Sequence, residues 1–151
     1  MLLPLCDKPV INHVFHQLSF SKRLSNIILA TSNDVSDDLL KEWAKNNNRD
    51  CYRGSLDNVL ERYYFAAKKY QGDVIVRVTA DCPLIDPTVV DLVIDHFLSG
   101  QYDYFSNTMV PTFPDGLDTE VFTFAALEKA YKTAKWKSEI EHVTSYIKKK
   151  S

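Results

Sequence analysis

Asp81 is the most pointed residue in the chain. It follows Asp73 to Thr79, a run in which Val74, Ile75, Val76, Val78 and Thr79 are all β-branched, and it precedes a turn that Pro83 stiffens. A carboxylate there can hold a hard cation such as Mg2+, which bridges protein carboxylates and substrate phosphates. It can also cap the turn by accepting a backbone N–H, which composition alone favours. Asp115, Asp118 and Glu120 alternate around Gly116. Such a cluster suits a metal or the hydroxyls of a sugar, and equally a solvated turn. Arg77 sits between Val76 and Val78, so in a central strand its charge needs a partner. A carboxylate such as Asp118 would serve, as would a bound phosphate, and a structural ion pair is the favoured outcome. Arg53, Ser55, Asn58 and Arg62 can together contact a nucleotide base or phosphate. Ser55 can instead be only a helix cap, and Arg62 only a surface residue.

Other pairs carry less. Asp86 precedes Pro87, the arrangement of an N-cap with proline at the first helical position. His13 and His16 stand one turn apart with no further ligand in view. Glu139 and His142 form one E-x-x-H pair, where a di-iron site needs two such pairs and further glutamates.

The elements that must position these residues alternate. Pro9 to Phe20 has Val10, Ile11, Val14, Phe15 and Leu18 at helical spacing. Ile27 to Ala30 is a short apolar run, as expected of a strand covered on both faces. Ser36 is the expected N-cap of a helix through about Lys45, and a short strand follows near Cys51 to Arg53. Ser55 or Asp57 caps the next helix, whose Val59, Leu60, Tyr63 and Ala67 share a face and which Gly72 stops. After the strand at Asp73 to Thr79, a helix from Asp86 to about Leu98 turns Val89, Val90, Val93, Ile94 and Phe97 inward. Strands are expected at Tyr102 to Phe105 and Glu120 to Phe122, then a helix from Phe124 to about Lys135. Ser138 and Glu141 form the capping box of a last helix ending in Lys148, Lys149 and Lys150. This alternation predicts one α/β domain over residues 1–151 with a mostly parallel sheet. In such sheets ligands bind beyond the carboxyl ends of the strands, where Arg53 to Asn58, Thr79 to Pro87, and Asn107 with Pro114 to Glu120 all fall.

Composition narrows the class. The 151 residues carry a formal net charge of −2, too little basic excess for a nucleic-acid footprint. Only four glycines are present, at Gly54, Gly72, Gly100 and Gly116, so the chain contains no clustered-glycine phosphate cradle. No apolar run approaches the roughly 18 residues of a membrane span, and the start lacks the features of a signal peptide. Cys6, Cys51 and Cys82 are odd in number and widely spaced, which fits reduced thiols in the cytoplasm.

Several segments taken together resemble one family. They are Leu3 to Val10 (LPLCDKPV), Tyr52 to Ser55 with Asp57 to Tyr63, Arg77 to Asp86 (RVTADCPLID), Ser106 to Thr108, Pro114 to Phe122 (PDGLDTEVF) and Glu141 to Thr144 (EHVT). In this order and spacing they resemble the cytidylyltransferase-type spore coat polysaccharide biosynthesis proteins. Those are similar to the acylneuraminate cytidylyltransferases that make CMP-sugars. The resemblance implies a Rossmann-like, three-layer α/β/α nucleotide-diphospho-sugar transferase fold. It implies transfer of a cytidylyl group from CTP to an acid sugar, with Mg2+ as cofactor and Asp81 as metal ligand. It also makes Arg53, Ser55, Arg62 and Asp81 nucleotide contacts, and makes Arg77, Asn107, Asp115, Asp118 and Glu120 acceptor contacts.

Family members also carry a first strand with a basic, glycine-containing loop that grips the triphosphate, and a late D-x-P-x-D-like segment. Neither is found in these residues, which predicts little or no turnover by them alone. The first strand lies between the strands at Ile27–Ala30 and Val74–Val78 in this fold. Those two are therefore expected to pair directly, or to accept a strand from another chain, since unpaired backbone inside a sheet is costly. The resemblance and the open sheet favour a homodimer. A catalytically silent sugar-binding or assembly module of the same family is the alternative.

Overall fold

The computed structural model describes residues 1–110 and 112–149. In chain order its elements are β1 (Pro4–Leu5), β2 (Lys8–Pro9), α1 (Val10–Leu18), β3 (Ile28–Ser32), a 3-10 turn (Val35–Asp37), α2 (Asp38–Asn46), β4 (Asp50–Gly54), α3 (Val59–Lys69), β5 (Val74–Arg77), α4 (Pro87–Ser99), β6 (Tyr104–Ser106), β7 (Glu120–Thr123), α5 (Phe124–Thr133), α6 (Lys137–Glu141) and α7 (Ser145–Lys148). The strands form a β1–β2 hairpin, a β3–β4 pair and a sheet in the order β5-β7-β6. The β3–β4 pair is parallel, with Ile28 opposite Asp50 and Ser32 opposite Gly54. The β6–β7 pair is antiparallel, with Tyr104 opposite Phe122 and Ser106 opposite Glu120. The α/β alternation is thus as expected. The strands at Ile27–Ala30 and Val74–Val78 do not pair directly: β3 pairs with β4, and β5 with β7.

The chain packs as two compact units, one of Met1–Ile27 with Val76–Phe122, the other of Ile28–Ile75 with Thr123–Ser151. In the first, α1 and α4 bury Val14, Leu18, Val90, Val93, Ile94 and Phe97 with Ile85 and Val121. The inward face expected for α4 is the face buried, and Asp86 caps it as expected, its carboxylate accepting the Thr88 N–H at 2.7 Å. Pro9, which precedes α1 at its N-cap position, offers no side-chain cap. The first N–H groups of α1 instead donate to backbone carbonyls, Val10 to Leu3 at 3.0 Å and Ile11 to Met1 at 3.1 Å.

In the second unit, α3 and α5 meet through rings. Tyr64 stacks on Tyr131 with centroids 4.3 Å apart and on Phe124 at 5.7 Å. With Tyr64 in that contact, Leu60, Tyr64 and Ala66 are the buried residues of α3, while Val59, Tyr63 and Ala67 of the expected face are only half-buried.

Several caps differ from expectation. Asp34, not Ser36, caps the 3-10 turn by accepting the Ser36 N–H. Asn58, not Ser55 or Asp57, caps α3 by accepting the Glu61 N–H at 2.9 Å. Gln71 takes the left-handed conformation after α3, with φ +55°, and the Gly72 N–H closes onto the Ala67 carbonyl at 3.0 Å. The last helix is broken into α6 and α7 at Val143, which is fully buried with φ +29°. Its cap carboxylate is Glu139 rather than Glu141. Glu139 accepts from the Lys135 and Trp136 N–H groups at 3.3 and 3.4 Å and from Lys149 Nζ at 3.0 Å. Lys150 lies outside the described residues.

Candidate functional site

The predicted residues fall into one set in each unit. In the unit of β3 and β4, β3 ends in Thr31 and Ser32 and β4 in Arg53 and Gly54. Thr31 Oγ1, the Ser32 N–H and Ser32 Oγ all donate to one oxygen of Asp37, at 2.7, 2.9 and 2.6 Å. Thr31 and Ser32 are buried. Burial opposes the charge on Asp37, but the bonds from Ser32 and Thr31 and the nearby Arg62 cation outweigh it. Its pKa therefore lies below the usual carboxylate range.

Arg53 closes the same loop from β4. Its Nε donates to the Ser32 carbonyl at 2.7 Å, one terminal nitrogen to the Asp34 carbonyl at 2.7 Å, and the other to Asp38 at 2.6 Å. The guanidinium thus sets the shape of the loop after β3. Ser55 Oγ accepts the Asn58 N–H at 3.0 Å, and the Ser55 carbonyl accepts from Arg62 at 3.2 Å. Arg62 is therefore not a plain surface residue. Its Nε is buried with no hydrogen-bond partner, and burial lowers its pKa. Gly54 allows this close approach, since a Cβ there would stand 3.0 Å from Arg62 Cγ and 3.1 Å from Tyr52 Cε1.

The other unit places Arg77 and Asp81 at and beyond the end of β5. Arg77 forms its ion pair with Glu120, not Asp118. The strand order explains the choice, because β7 lies beside β5 and carries Glu120 on its first residue, whereas Asp118 stands on the exposed loop before it. Glu120 is buried, and its other oxygen accepts from Tyr104 Oη at 2.8 Å. Burial, with the Glu120 charge beside it, pushes the Tyr104 phenol well above its usual range, so it remains a donor at any ordinary pH.

Asn107 uses both ends of its amide on the acidic loop. Nδ2 donates to the Leu117 carbonyl and Oδ1 accepts the Thr119 N–H, each at 2.9 Å. It thereby fixes the segment that carries Asp118. Asp115 is exposed, next to Gly116 with φ +92°. The Leu117 N–H closes this turn on the Pro114 carbonyl at 3.3 Å, a geometry that needs positive φ at its third residue. Nothing lies within 4 Å of a Cβ built on Gly116, so Gly116→Ala carries only the conformational cost. It is expected to lower stability by about 1 kcal/mol in urea denaturation.

Asp81 is exposed, and the hydrogen bond from the Thr79 side chain is the largest influence holding its pKa below the usual carboxylate range. It is therefore ionised at neutral pH. Among the described residues no three His, Cys, Asp or Glu side chains converge to hold a metal by themselves. Mg2+ asks for less, commonly one or two carboxylates with water and substrate phosphates completing its shell, and a single ionised, accessible Asp81 fits that need.

Two features were not read from the sequence. The Thr31–Ser32–Asp37 cluster stands at the carboxyl end of β3, and polar residues directly after the apolar run Ile28 to Ala30 were the available signal. Tyr104 lies diagonally across from Glu120 on the antiparallel pair, a relation that only the register reveals.

A family model described as cytidylyltransferase matches residues 1–151. An uncharacterized protein of Methanocaldococcus jannaschii is 42% identical over 147 residues, covering 97% of this chain and 59% of its own length. The spore coat polysaccharide biosynthesis protein SpsF of Bacillus subtilis is 28% identical over 158 residues, covering 98% of this chain and 62% of its own length. Among solved structures, a cytidylyltransferase from Leptospira borgpetersenii serovar Hardjo-bovis matches with a TM-score of 0.92 at 37% identity, covering 98% of this chain and 63% of that one. The chain thus spans less than two thirds of the length of these relatives.

Proposed function

The chain belongs to the cytidylyltransferase family, and on that premise we propose that it serves the transfer of a cytidylyl group from CTP to an acid sugar. The product would feed a surface or spore coat polysaccharide. The carrying observation is the match to a cytidylyltransferase structure at a TM-score of 0.92 and 37% identity over 98% of the chain. A sugar hydroxyl attacks the α-phosphorus of CTP, the bond to the β-phosphate oxygen breaks, pyrophosphate leaves, and the hydroxyl proton passes to solvent. Such a reaction depends on positioning and on charge stabilisation more than on covalent help from the protein.

Asp81 holds Mg2+ in this reading. When bound, the ion would neutralise charge on the phosphates. Arg62 lends its positive charge to the nucleotide, while Arg53 and Ser55 position the loops around it. Arg77, Asp115 and Asp118 face the acceptor, and Asn107 and Glu120 hold them from within. The reading includes a cytoplasmic setting, consistent with three free cysteines. It also includes a homodimer, which would cover exposed apolar side chains such as Leu84, Met109 and Val110.

Calorimetric titration of the chain with CTP, with and without Mg2+, tests the reading. Saturable, Mg2+-dependent binding is expected, at least about tenfold tighter for CTP than for ATP or GTP, since a wrong base leaves polar groups unpaired. Equal binding of all nucleotides, or none at millimolar CTP, sinks it.

A further inference from the structure

Lysine is unevenly spread along this chain. Residues 129–151 hold seven lysines against two glutamates, while the whole chain has a formal net charge of −2. A helix dipole does not account for the run, because α7 has only four residues, Ser145–Lys148, and Lys149 stands beyond its end. Glu139 joins the two ends of this segment. One of its oxygens accepts from the Lys135 and Trp136 N–H groups at 3.3 and 3.4 Å, and the other from Lys149 Nζ at 3.0 Å. Lys149 is thereby held beside the start of α6. The Glu139 side chain keeps 7% of its surface exposed and that of Lys149 61%, so the carboxylate lies inside and the ammonium outside. Lys135 and Lys137 flank Trp136 and are exposed. Trp136 itself is 71% exposed, and it is the one exposed large hydrophobic residue among the described residues of α5 to α7.

We propose that the corner formed by Lys135, Trp136, Lys137 and Lys149 docks reversibly on a bilayer surface rich in anionic phospholipid headgroups. The charges are complementary, since exposed ammonium groups meet lipid phosphates, and each lysine near such a surface adds to the attraction. An indole among lysines suits the headgroup layer, where the ring lies at the boundary with the acyl chains and the lysine stems extend along it. A protein partner of ordinary size would need a core of several apolar side chains, and this corner offers one. A nucleic acid would need a wider basic face than a chain of net charge −2 provides. The proposal stands apart from the cytidylyl reading, and no nucleotide enters its test.

Flotation with vesicles tests it. One set is phosphatidylcholine alone, the other equal parts phosphatidylcholine and phosphatidylglycerol, both in low salt. Wild type is expected to bind the mixed vesicles at least about tenfold more strongly, and to lose most of that binding in about 0.5 M NaCl. Tryptophan emission should shift to the blue on binding, and Trp136→Ala should lack the shift and bind about fivefold more weakly. Lys135→Gln combined with Lys137→Gln is expected to weaken binding at least about tenfold. Lys41→Gln combined with Lys45→Gln, two exposed positions on α2, should change it less than about twofold. A melting curve checks that each variant folds, and Lys149→Gln serves as a second charge variant. No binding, equal binding to both vesicles, or equal losses in the two lysine pairs overturns the proposal. An emission shift that survives in Trp136→Ala overturns the indole anchor. Tighter binding of a polyglutamate peptide, with the same loss in the Lys135 and Lys137 variant, assigns the corner to an acidic protein and overturns the lipid reading.

Discussion

Asp81→Asn is expected to raise the Mg2+ concentration needed for half-maximal CTP binding at least about tenfold, and to lower cytidylyl transfer by at least about 100-fold wherever this chain turns over. The substitution keeps the shape of the side chain and removes its charge. Asp81 is exposed, and among the described residues its bonds reach Thr79, Cys82 and its own backbone. The fold should therefore tolerate the change, with a melting temperature close to that of wild type. This separates the metal reading from the turn-capping reading. A residue that only caps the turn would shift stability and leave the Mg2+ dependence of CTP binding untouched. The pH dependence has a definite sign. Because its pKa is held below the usual carboxylate range, Asp81 stays ionised through mild acid. Mg2+-dependent binding should then persist to a pH below that range before it falls.

What the sequence showed clearly was local. Asp86 before Pro87 defined both the start and the register of α4, and the five residues expected to face inward are the five buried. A cap and its proline are neighbours in the chain, so no tertiary knowledge is needed to read them. Ser36 and Ser138 failed on the same ground. Several polar residues stood within one turn of each helix start, and the choice among them was made elsewhere. Asp37 turns back to Ser32 and Asp34 caps; Glu139, two positions before Glu141, takes the cap bonds and also accepts from Lys149. Two residues with positive φ were likewise hidden. Gln71 and Val143 adopt a conformation usually left to glycine or asparagine, and only packing explains Val143, whose side chain is fully buried.

The partner of Arg77 shows the same limit in the candidate site. Sequence proximity could not choose between Asp118 and Glu120, because they differ by only two positions. Strand pairing decided it by setting β7 between β5 and β6. Placement at strand ends was legible, since Arg53, Arg77 and Asp81 follow apolar runs, and ligands in α/β sheets gather there. Commitment was not. Arg53 is expected as a nucleotide contact, and the sequence does not show that it is also bonded to Ser32, Asp34 and Asp38. Arg62 is expected as a nucleotide contact or else a plain surface residue, and it has a buried Nε with no hydrogen-bond partner.

Asp37→Ala is expected to be the most destabilising change in the β3–β4 unit, at about 3 kcal/mol or more in urea denaturation near neutral pH. Three donors converge on one Asp37 oxygen, and the groups that supply them, on Thr31 and Ser32, are buried. The Ser32 hydroxyl oxygen would keep the Asp34 N–H, which it accepts at 3.3 Å, as a partner. The Ser32 N–H cannot turn, and a buried amide without a partner costs about 1–3 kcal/mol. Loss of the carboxylate also removes a negative charge near Arg62, whose own pKa burial already depresses. Asp37→Asn separates charge from shape, because its amide oxygen can still accept. The sign with pH follows from the lowered pKa of Asp37 in the folded chain. Its contribution is complete above the unfolded carboxylate value and is lost as pH falls through the lower folded value. The stability gap between wild type and Asp37→Asn should thus be level from pH 7 to about pH 4–5 and should close below that. A gap that widens in acid would mean that Asp37 is held protonated in the fold, contrary to the three donors that meet at its oxygen.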